Sequence, residues 1–408
     1  MERAIVIGGG VIGLSLAYEL AAGGGFQVVV LERGEPGREA SWAGAGILTP
    51  AGDAAAAPVD RLRALSLRLI AEWSERLRAE TGIDNGFLRC GALQVATGDQ
   101  EAAALDAEAE RWRADGIAVE TPTAGEVRRL EPRLAPDLAR VYRLPEGAQL
   151  RNPWHLRALA AACVRRGVEL ATGTPALGFE GRGGRVERVS TPSGPVAGDR
   201  FVLAAGPWSP ALAADAGVEL PGTPVRGQIV LLESAAPLVS HVVWSRSRYL
   251  VPRPEGPLLI GSTEEDAGFD ARPTAAGVAD LLALARRLVP AAGGAAFARA
   301  WAGLRPGSPD AVPVLGPAPG WDNLYLATGH FRSGFELSAG SARLLGRLLR
   351  GEQPELPLAP FAVERFAAPE AEGPAGGGAS RSPTAAAPGG RAGGASSPAR
   401  RPLRVETP

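Results

Sequence analysis

The fold of this chain is decided near its N-terminus, by the stretch Ala4-Ile5-Val6-Ile7-Gly8-Gly9-Gly10-Val11-Ile12-Gly13. Four apolar residues of strand type lead into three glycines, and residues 11–22 then carry apolar side chains at helical spacing. Glycines at 23–25 end that helix, and the apolar run 28–31 predicts a second strand that stops at Glu32. Strand, glycine turn, helix, strand and acid, in this order, are typical of a dinucleotide-binding βαβ unit.

Each part of this unit has a physical task. Gly8 permits the tight turn, Gly10 lets the backbone approach a pyrophosphate, and Gly13 lets the helix pack closely against the strand. The N-terminus of the helix offers free N–H groups and the positive end of its dipole to phosphates. Glu32 is expected to accept hydrogen bonds from a ribose 2′-hydroxyl, which argues against a 2′-phosphorylated cofactor. The alternative interpretation is a glycine turn in an ordinary α/β unit.

The composition bounds the class of protein. With 408 residues the chain is long enough for two domains, and its net charge of −1 gives no reason to expect a nucleic acid as partner. All 43 basic residues are arginine, so lysine-dependent pyridoxal phosphate chemistry is excluded. Cys90 and Cys163 show neither metal-ligand spacing nor a disulfide pattern, so neither a metal site nor a disulfide is expected.

The distribution of apolar residues predicts where the protein works. No segment has the length and apolar continuity of a transmembrane helix, and the sequence enters its first strand at once, which leaves no room for a signal peptide. These features predict a soluble cytoplasmic protein that does not bind a membrane. Residues 367–408 carry almost no large apolar side chain, so this tail is expected to be disordered.

Periodicity predicts the further elements. The expected helices cover 61–80, 100–114, a short helix that begins at Thr123 with Glu126 completing a capping box, 152–166, 275–289 and 337–350. The expected strands cover a pair in 87–97 around Gly91, then 168–172, 178–189, 195–205, 229–232, 242–244, 249–252, 258–261 and 324–327. The four candidates between 229 and 261 have polar breaks between them and predict a substantially antiparallel sheet.

Residues 40–46 are too rich in small side chains to form a core element. Such a segment suits close approach to a bound cofactor, with the Ser41 hydroxyl free to donate to a phosphate. The alternative interpretation is a plain mobile loop.

Seven motifs in order resemble the FAD-dependent amino-acid oxidase family, which includes D-amino-acid oxidase, sarcosine oxidase and glycine oxidase. The resemblance covers residues 1 to about 366 and is strongest to the glycine oxidase of thiamine biosynthesis. The motifs are the glycine turn with Glu32-Arg33, the segment 40–46, the strand end 202–208, Tyr249-Leu250-Val251-Pro252-Arg253, Gly261-Ser262-Thr263-Glu264-Glu265, Trp301-Ala302-Gly303-Leu304-Arg305-Pro306 and Gly329-His330-Phe331-Arg332-Ser333-Gly334.

The resemblance implies an α/β (α+β) fold in which a Rossmann-type FAD-binding domain is interleaved with a substrate domain built on a large, mainly antiparallel sheet. The FAD-binding domain is expected to comprise 1–83, 147–218 and 301–366. The substrate domain is expected to comprise 84–146 and 219–300, with the tail at 367–408.

The family motifs also imply the cofactor contacts. FAD is expected to bind without a covalent bond, because no cysteine lies near Gly303-Leu304-Arg305, where sarcosine oxidases attach flavin. The residues expected to bind it are Gly8, Gly10, Val11, Ile12, Gly13, Glu32, Arg33, Ala40, Ser41, Ala43, Gly44, Gly46, Ile47, Pro175, Ala205, Gly206, Trp208, Gly329, His330, Phe331, Arg332, Ser333 and Gly334.

Three residues match family positions at the substrate. Arg305, placed in a Gly-Leu-Arg-Pro turn, is expected to bind the amino-acid carboxylate with its planar fork, and the Tyr249 hydroxyl is expected to assist it. Arg332 is expected near substrate and flavin. His330 is expected behind the site rather than as a base, and the helix after Gly334 is expected to stabilise negative charge at flavin N1. The chain departs from many glycine oxidases at Phe335-Glu336-Leu337-Ser338, where they carry an apolar run and a proline.

The resemblance implies an oxidase of glycine, sarcosine and small D-amino acids, in which a hydride passes from Cα to FAD and dioxygen becomes hydrogen peroxide. The imine product would hydrolyse or pass to thiazole synthesis. The expected partners are a small amino acid and dioxygen, and a homotetramer is suggested by the resemblance. Alternatives are a dehydrogenase that reduces a quinone or partner subunit and a flavin-binding subunit of a larger complex. A nicotinamide enzyme would leave the later motifs unexplained.

Overall fold

The N-terminal βαβ unit consists of β1 (Glu2–Ile7), α1 (Val11–Gly23) and β2 (Phe26–Leu31) in the computed structural model, which describes residues 1–367. The two strands pair in parallel, with Ile7 opposite Leu31. Gly8 has a φ of 112°, a left-handed conformation that favours glycine. A Cβ at Gly13 would lie 1.9 Å from the carbonyl oxygen of Gly8, so only glycine lets the helix approach the turn this closely.

Beyond this unit, residues 1–367 contain eight more α-helices and sixteen more β-strands. The helices are α2 (Ala40–Ala43), α3 (Pro58–Thr81), α4 (Asp99–Ala114), α5 (Ala124–Leu130), α6 (Asn152–Arg165), α7 (Ser209–Asp215), α8 (Ala275–Leu288) and α9 (Gly334–Leu349). The strands are β3 (Ile47–Leu48), β4 (Ala92–Ala96), β5 (Arg140–Leu144), β6 (Ala148–Gln149), β7 (Glu169–Ala171), β8 (Gly178–Arg182), β9 (Arg185–Ser190), β10 (Val196–Ala197), β11 (Arg200–Leu203), β12 (Thr223–Glu233), β13 (Val242–Ser245), β14 (Arg248–Pro252), β15 (Leu258–Gly261), β16 (Ala296–Gly307), β17 (Val314–Pro317) and β18 (Leu324–Thr328).

The first sheet has six strands in the order β17-β18-β11-β1-β2-β7. All neighbours run parallel except β17 and β18. Alternate residues of β1 face opposite sides: Ala4 and Val6 pack with α1, α3, α6 and α9, whereas Ile5 and Ile7 pack with α7 and β9. Both faces are therefore covered, as a parallel sheet requires.

The second sheet has seven strands in the order β16-β12-β15-β14-β13-β4-β5, and only β13 and β4 run parallel. One face packs on α8 through Leu281, Ala285 and Leu288. Tyr249 and Val251 lie on the opposite face. This large, mainly antiparallel sheet beside a Rossmann-type sheet confirms the predicted fold class.

Seven of the nine α-helices in residues 1–367 lie where they were predicted, within a few residues at each end, whereas the short helices α2 and α7 were not predicted. The capping box of α5 is also present: the Thr123 hydroxyl accepts from the Glu126 N–H at 3.3 Å, and the Glu126 carboxylate accepts from the Thr123 N–H at 2.7 Å. Among residues 1–367, no helix combines the length and the apolar character needed to cross a membrane. The tail predicted at 367–408 lies outside the described residues, except for Ala367.

The strand predictions were incomplete. Arg305 lies within the twelve-residue strand β16 and not in a turn, and β3, β5, β6 and β17 were also not predicted. The regions predicted as strands at 178–189 and 195–205 each contain two strands, β8 with β9 and β10 with β11. Only β4 forms in the region 87–97, where Leu88 makes an isolated bridge to Gln149. The glycines and arginines of β16 obscured it, because that part of the strand lines a cavity rather than the apolar core and so shows no apolar alternation.

Candidate functional site

A cavity of about 890 Å³ opens at the carboxyl ends of β1, β2 and β11 and extends across one face of the second sheet. In open α/β sheets, ligands bind outside the carboxyl ends of the strands. Every residue predicted to bind cofactor or substrate lines this cavity except Gly13 and Gly329. Gly13 packs behind the glycine turn, and Gly329 has a φ of 71° and turns the chain after β18.

Glu32 fixes the glycine turn as well as lining the cavity. Its carboxylate oxygens accept from the backbone N–H groups of Gly9 and Gly34, each at 2.8 Å. Each carboxylate oxygen retains a second lone pair, so a ribose hydroxyl can still donate to Glu32. The neighbouring Arg33 places its guanidinium carbon 3.5 Å from the ring centroid of Trp208, at the same end of the cavity.

Ser41 has a role at the start of α1 that the sequence did not predict. Its hydroxyl oxygen accepts a hydrogen bond from the N–H of Val11 at 2.9 Å and so satisfies one donor at the start of α1. Because a hydroxyl group can accept one hydrogen bond and donate another, Ser41 can still donate its proton to a ligand. The side chain therefore ties the segment 40–46 to the predicted phosphate-binding turn.

The segment 44–47 lies against Leu150 and Asn152. A Cβ at Gly46, where φ is 72°, would lie 2.1 Å from the Leu150 carbonyl oxygen, and one at Gly44 would lie 2.7 Å from Nδ2 of Asn152. That same Nδ2 donates to the Ser41 carbonyl oxygen at 2.8 Å. Through these contacts the segment lies along the cavity wall.

Two buried polar atoms on cavity-lining residues have no partner within the described residues: Oδ1 of Asn152 and Nδ1 of His330. Both atoms are inaccessible from the open cavity, so they carry no information about a ligand in it. The glycine turn and the buried Glu32, which both line the cavity, fit a dinucleotide. Among the described residues, no group of three or more His, Cys, Asp or Glu side chains is arranged to hold a metal ion.

Arg305 and Tyr249 converge on one peptide of the second sheet. Arg305 donates to the Ser262 hydroxyl at 2.6 Å and to the Thr263 carbonyl oxygen at 3.2 Å. A Cβ at the adjacent Gly261 would lie 2.7 Å from the Tyr249 hydroxyl oxygen, so this hydroxyl sits directly over that residue. Burial lowers the pKa of Arg305 from its ordinary value, but a guanidinium stays protonated at physiological pH. A fixed cation and a hydroxyl thus both lie on the cavity surface.

Arg332 lies at the edge of the cavity and is bound to the protein on two sides. One guanidinium nitrogen donates to the Glu264 carboxylate at 3.1 Å, and the other donates to the Ser247 carbonyl oxygen. The side chain therefore bridges the start of α9 to the second sheet rather than pointing freely at a ligand.

His330 is buried at the end of β18, and its Nε2 lies 3.1 Å from the Ser341 hydroxyl. Burial lowers the pKa of His330 to about 3, so the ring is neutral near neutral pH. This agrees with the prediction of a supporting residue.

Glu336 belongs to the stretch 335–338, in which the sequence departs from the resembled family pattern, and it forms a buried ion pair. Its carboxylate accepts from Arg63 at 3.1 Å and from the N–H of Thr49 at 2.8 Å, and Arg63 also donates to Asp60. Although burial lowers the pKa of Arg63, the neighbouring carboxylates raise it overall. The pair joins the first turn of α9 to α3 and to the segment after β3.

The sequence did not predict several cavity-lining residues. Gly227 lines the cavity and provides the space for Arg305, and the ring of the cavity-lining Trp244 packs edge-on against Tyr249 at 5.1 Å. Other lining residues come from the end of α4 and from β4, namely Gln94, Glu108, Arg111, Trp112 and Asp115. Cross-strand pairing could have indicated Gly227, but that pairing was not predicted.

The fold and the site together define a dinucleotide-binding protein in which the second sheet forms one wall of the binding cavity. The family model "DAO: FAD dependent oxidoreductase" matches residues 3–348. The glycine oxidase of Pseudomonas putida is 40% identical over 89% of this chain and 98% of its own length. The "Bifunctional protein ThiO/ThiG" of Trichormus variabilis is 34% identical over 89% of this chain and 55% of its own length.

The crystal structure of glycine oxidase from Geobacillus kaustophilus superposes with a TM-score of 0.86 at 34% identity, covering 90% of this chain and 100% of that one. The chain therefore belongs to the FAD-dependent oxidoreductase family, as a glycine oxidase-like flavoenzyme with FAD as its cofactor.

Proposed function

We propose that this enzyme oxidises glycine and other small amino acids, with dioxygen as the final electron acceptor. The amine loses two electrons and becomes an imine, which water hydrolyses to an oxo acid and ammonia. Dioxygen takes up the two electrons and two protons and becomes hydrogen peroxide. FAD, when bound, supplies the acceptor for the hydride that leaves Cα. The observation that supports this most is the convergence of Arg305 and Tyr249 in the same cavity as the nucleotide-binding turn.

Arg305 would hold the substrate carboxylate. Two of its five N–H donors are used by Ser262 and Thr263, which fix the plane of the guanidinium, and the remaining donors are available to both carboxylate oxygens. Tyr249 would donate its hydroxyl proton to the same carboxylate. The two contacts orient Cα, and orientation is what a hydride transfer chiefly requires from the protein.

A protein base is not part of this proposal. An amine that arrives unprotonated has a lone pair that can assist departure of the hydride. His330 is a poor base, because burial lowers its pKa to about 3 and its Nε2 faces Ser341. The walls of the site, including Trp244 and the segment 44–47, would instead exclude water from the reacting atoms.

Several finer points are proposals on the strength of the relatives. The glycine oxidases and the ThiO/ThiG protein support a role in thiamine biosynthesis, where the imine would serve thiazole synthesis. Cytoplasmic location and a homotetramer remain predictions. Interleaved domains are supported by the two sheets, but a boundary at 300/301 would divide β16, so we propose the end of β16 instead.

The test is oxygen uptake by the FAD-loaded enzyme with glycine, sarcosine and D-alanine, coupled to a peroxide assay. Arg305→Ala should lower kcat/KM by roughly tenfold to a hundredfold, mainly through KM, because it removes a charged hydrogen bond. Arg299→Ala on the same strand is the matched control, since Arg299 stacks on Trp42 and Trp301 outside the proposed carboxylate site. Anaerobic bleaching of the flavin without peroxide in air would favour a dehydrogenase, and no bleaching would contradict the proposed substrates.

A further inference from the structure

Arg253 is a buried arginine with a hydrogen-bond pattern that the proposed chemistry does not use. Its side chain is 5% exposed and donates to three oxygens: Oε1 of Gln149 at 2.6 Å, the Leu150 carbonyl at 3.1 Å and the Ala45 carbonyl at 2.8 Å. None of these partners is a carboxylate. The guanidinium thus bridges two separate segments of the chain through neutral acceptors alone.

Among the described residues, no carboxylate forms an ion pair with Arg253. Burial, with a smaller contribution from Arg151, lowers the pKa of Arg253 to about 10. The carboxylate of Glu255 is exposed and accepts from Arg151 at 2.8 Å instead. Burying a cation is unfavourable, but an apolar side chain here would leave three buried oxygens without donors.

The three acceptors lie beside the proposed flavin site. Ala45 stands between Gly44 and Gly46 on the cavity wall, and Asn152 donates to the carbonyl oxygen of Ser41, three residues before that segment. Arg253 directly follows β14, four residues after Tyr249. Alternate residues of a strand share a face, so Tyr249, Val251 and Arg253 point to the same side. The strand β14 and the residue that follows it therefore provide both the Tyr249 hydroxyl at the proposed substrate site and the Arg253 guanidinium that binds the segment 44–47.

We propose that Arg253 is a positioning residue that fixes the segment 44–47 in register with Tyr249 and so aligns the flavin with the substrate. This inference rests on the proposed function, because it takes the segment 44–47 as a flavin contact. A lysine at this position would keep the charge, but one ammonium group cannot donate along the fork that joins Ala45 to Gln149 and Leu150. Geometry rather than charge alone is thus the property under test.

The experiment compares apoprotein of wild type, Arg253→Met, Arg253→Lys and Arg151→Met. Each is titrated with FAD, and the visible spectrum, the thermal midpoint of the apoprotein and the glycine kinetics are recorded. Arg253→Met and Arg253→Lys should bind FAD at least tenfold more weakly, with a shifted flavin spectrum and a larger loss in kcat than in KM. Arg151→Met should bind FAD like wild type, because the Arg151 guanidinium binds the exposed Glu255 and the ring of Trp154 and makes no hydrogen bond to residues 44–47.

An Arg253→Met protein with a lower thermal midpoint but wild-type FAD affinity and spectrum would overturn the inference, because the residue would then be merely structural. If Arg253→Met fails to fold, the Arg253→Lys variant provides the test. Wild-type FAD affinity and a wild-type flavin spectrum in that variant would also overturn the inference. Wild-type protein that binds FAD but does not oxidise amines would contradict the proposed function, while weaker FAD binding by the variants would still support the anchoring role.

Discussion

The guanidinium group of Arg305 lies over the α-carbon of Gly227 on the neighbouring strand, so close that a Cβ at position 227 would fall within 2.3 Å of three guanidinium atoms. Gly227 pairs with Gly303, two residues before Arg305. The arginine thus folds back over a strand position that has no side chain. Its conformation depends on that glycine as much as on its own hydrogen bonds.

Gly227→Ala should therefore displace Arg305 without touching the nucleotide turn. We expect kcat/KM for glycine to fall at least about tenfold, with a matching loss of inhibition by acetate, because the carboxylate contact is misplaced. FAD affinity should stay unchanged. Gly125→Ala in α5 is the control, because no atom lies within 4 Å of a Cβ there. Unchanged acetate inhibition would show that Arg305 does not bind the carboxylate.

Replacing Glu336 should destabilise the protein through Arg63, whose side chain is only 18% exposed. Glu336→Leu leaves that cation with Asp60 alone and should lower the free energy of unfolding by about 2–4 kcal/mol. The double variant with Arg63→Met should regain much of this loss, which urea unfolding at saturating FAD would measure. An additive double mutant would mean that the two side chains are not coupled. Arg68→Met is the control on the same helix as Arg63: it breaks an exposed pair with Asp53, which lies before the helix, and should change little.

Acid should destabilise the fold through its buried histidines. Burial lowers the pKa of His155 to about 4 and that of His330 to about 3, below the unfolded value of about 6.5. Below pH 6.5 the unfolded chain binds protons that the folded chain does not. The contribution of each histidine to the free energy of unfolding is therefore fully present above pH 6.5. It is lost as the pH falls below 6.5, by about 1.4 kcal/mol per pH unit for each histidine.

His155→Gln should remove the contribution of His155 to this pH dependence. The glutamine still offers an acceptor to Asn85, whose side-chain amide donates to His155 at 3.0 Å. Urea unfolding of the apoprotein between pH 7 and pH 5 should then show a shallower dependence than wild type. Equal slopes for the two proteins would mean that His155 is protonated in the folded state.

FAD should leave the protein completely when it is denatured. Both cysteines lie within the described residues, and neither lines the cavity. Cys163 is fully buried, and burial raises its pKa to about 12, so its thiol is unreactive. Acid precipitation should release all yellow colour into the supernatant. Flavin that stays with the precipitate would point to a covalent bond at another residue.

The sequence could predict those parts of the site that depend on local pattern. The glycine turn, Glu32, Arg305 and Tyr249 lie in short motifs whose chemistry is carried by neighbouring residues. Gly227 could not be identified in this way, because its significance comes from an arginine 78 positions away across a strand pair that was not predicted. Arg253 was quoted in a motif, but its role depends on acceptors at 45, 149 and 150 that only the tertiary fold brings to it.

The strand order of the first sheet also affects how the protein is made. β1 lies between β2 and β11, and β11 in turn pairs with β18, which ends at Thr328. At typical synthesis rates, roughly 15–60 s separate the emergence of β2 from that of β18. During this interval the growing chain exposes apolar strand edges, and long-range parallel pairing is slow in any case. Newly made protein should therefore depend on chaperones, and added FAD can rescue only chains that have been completed.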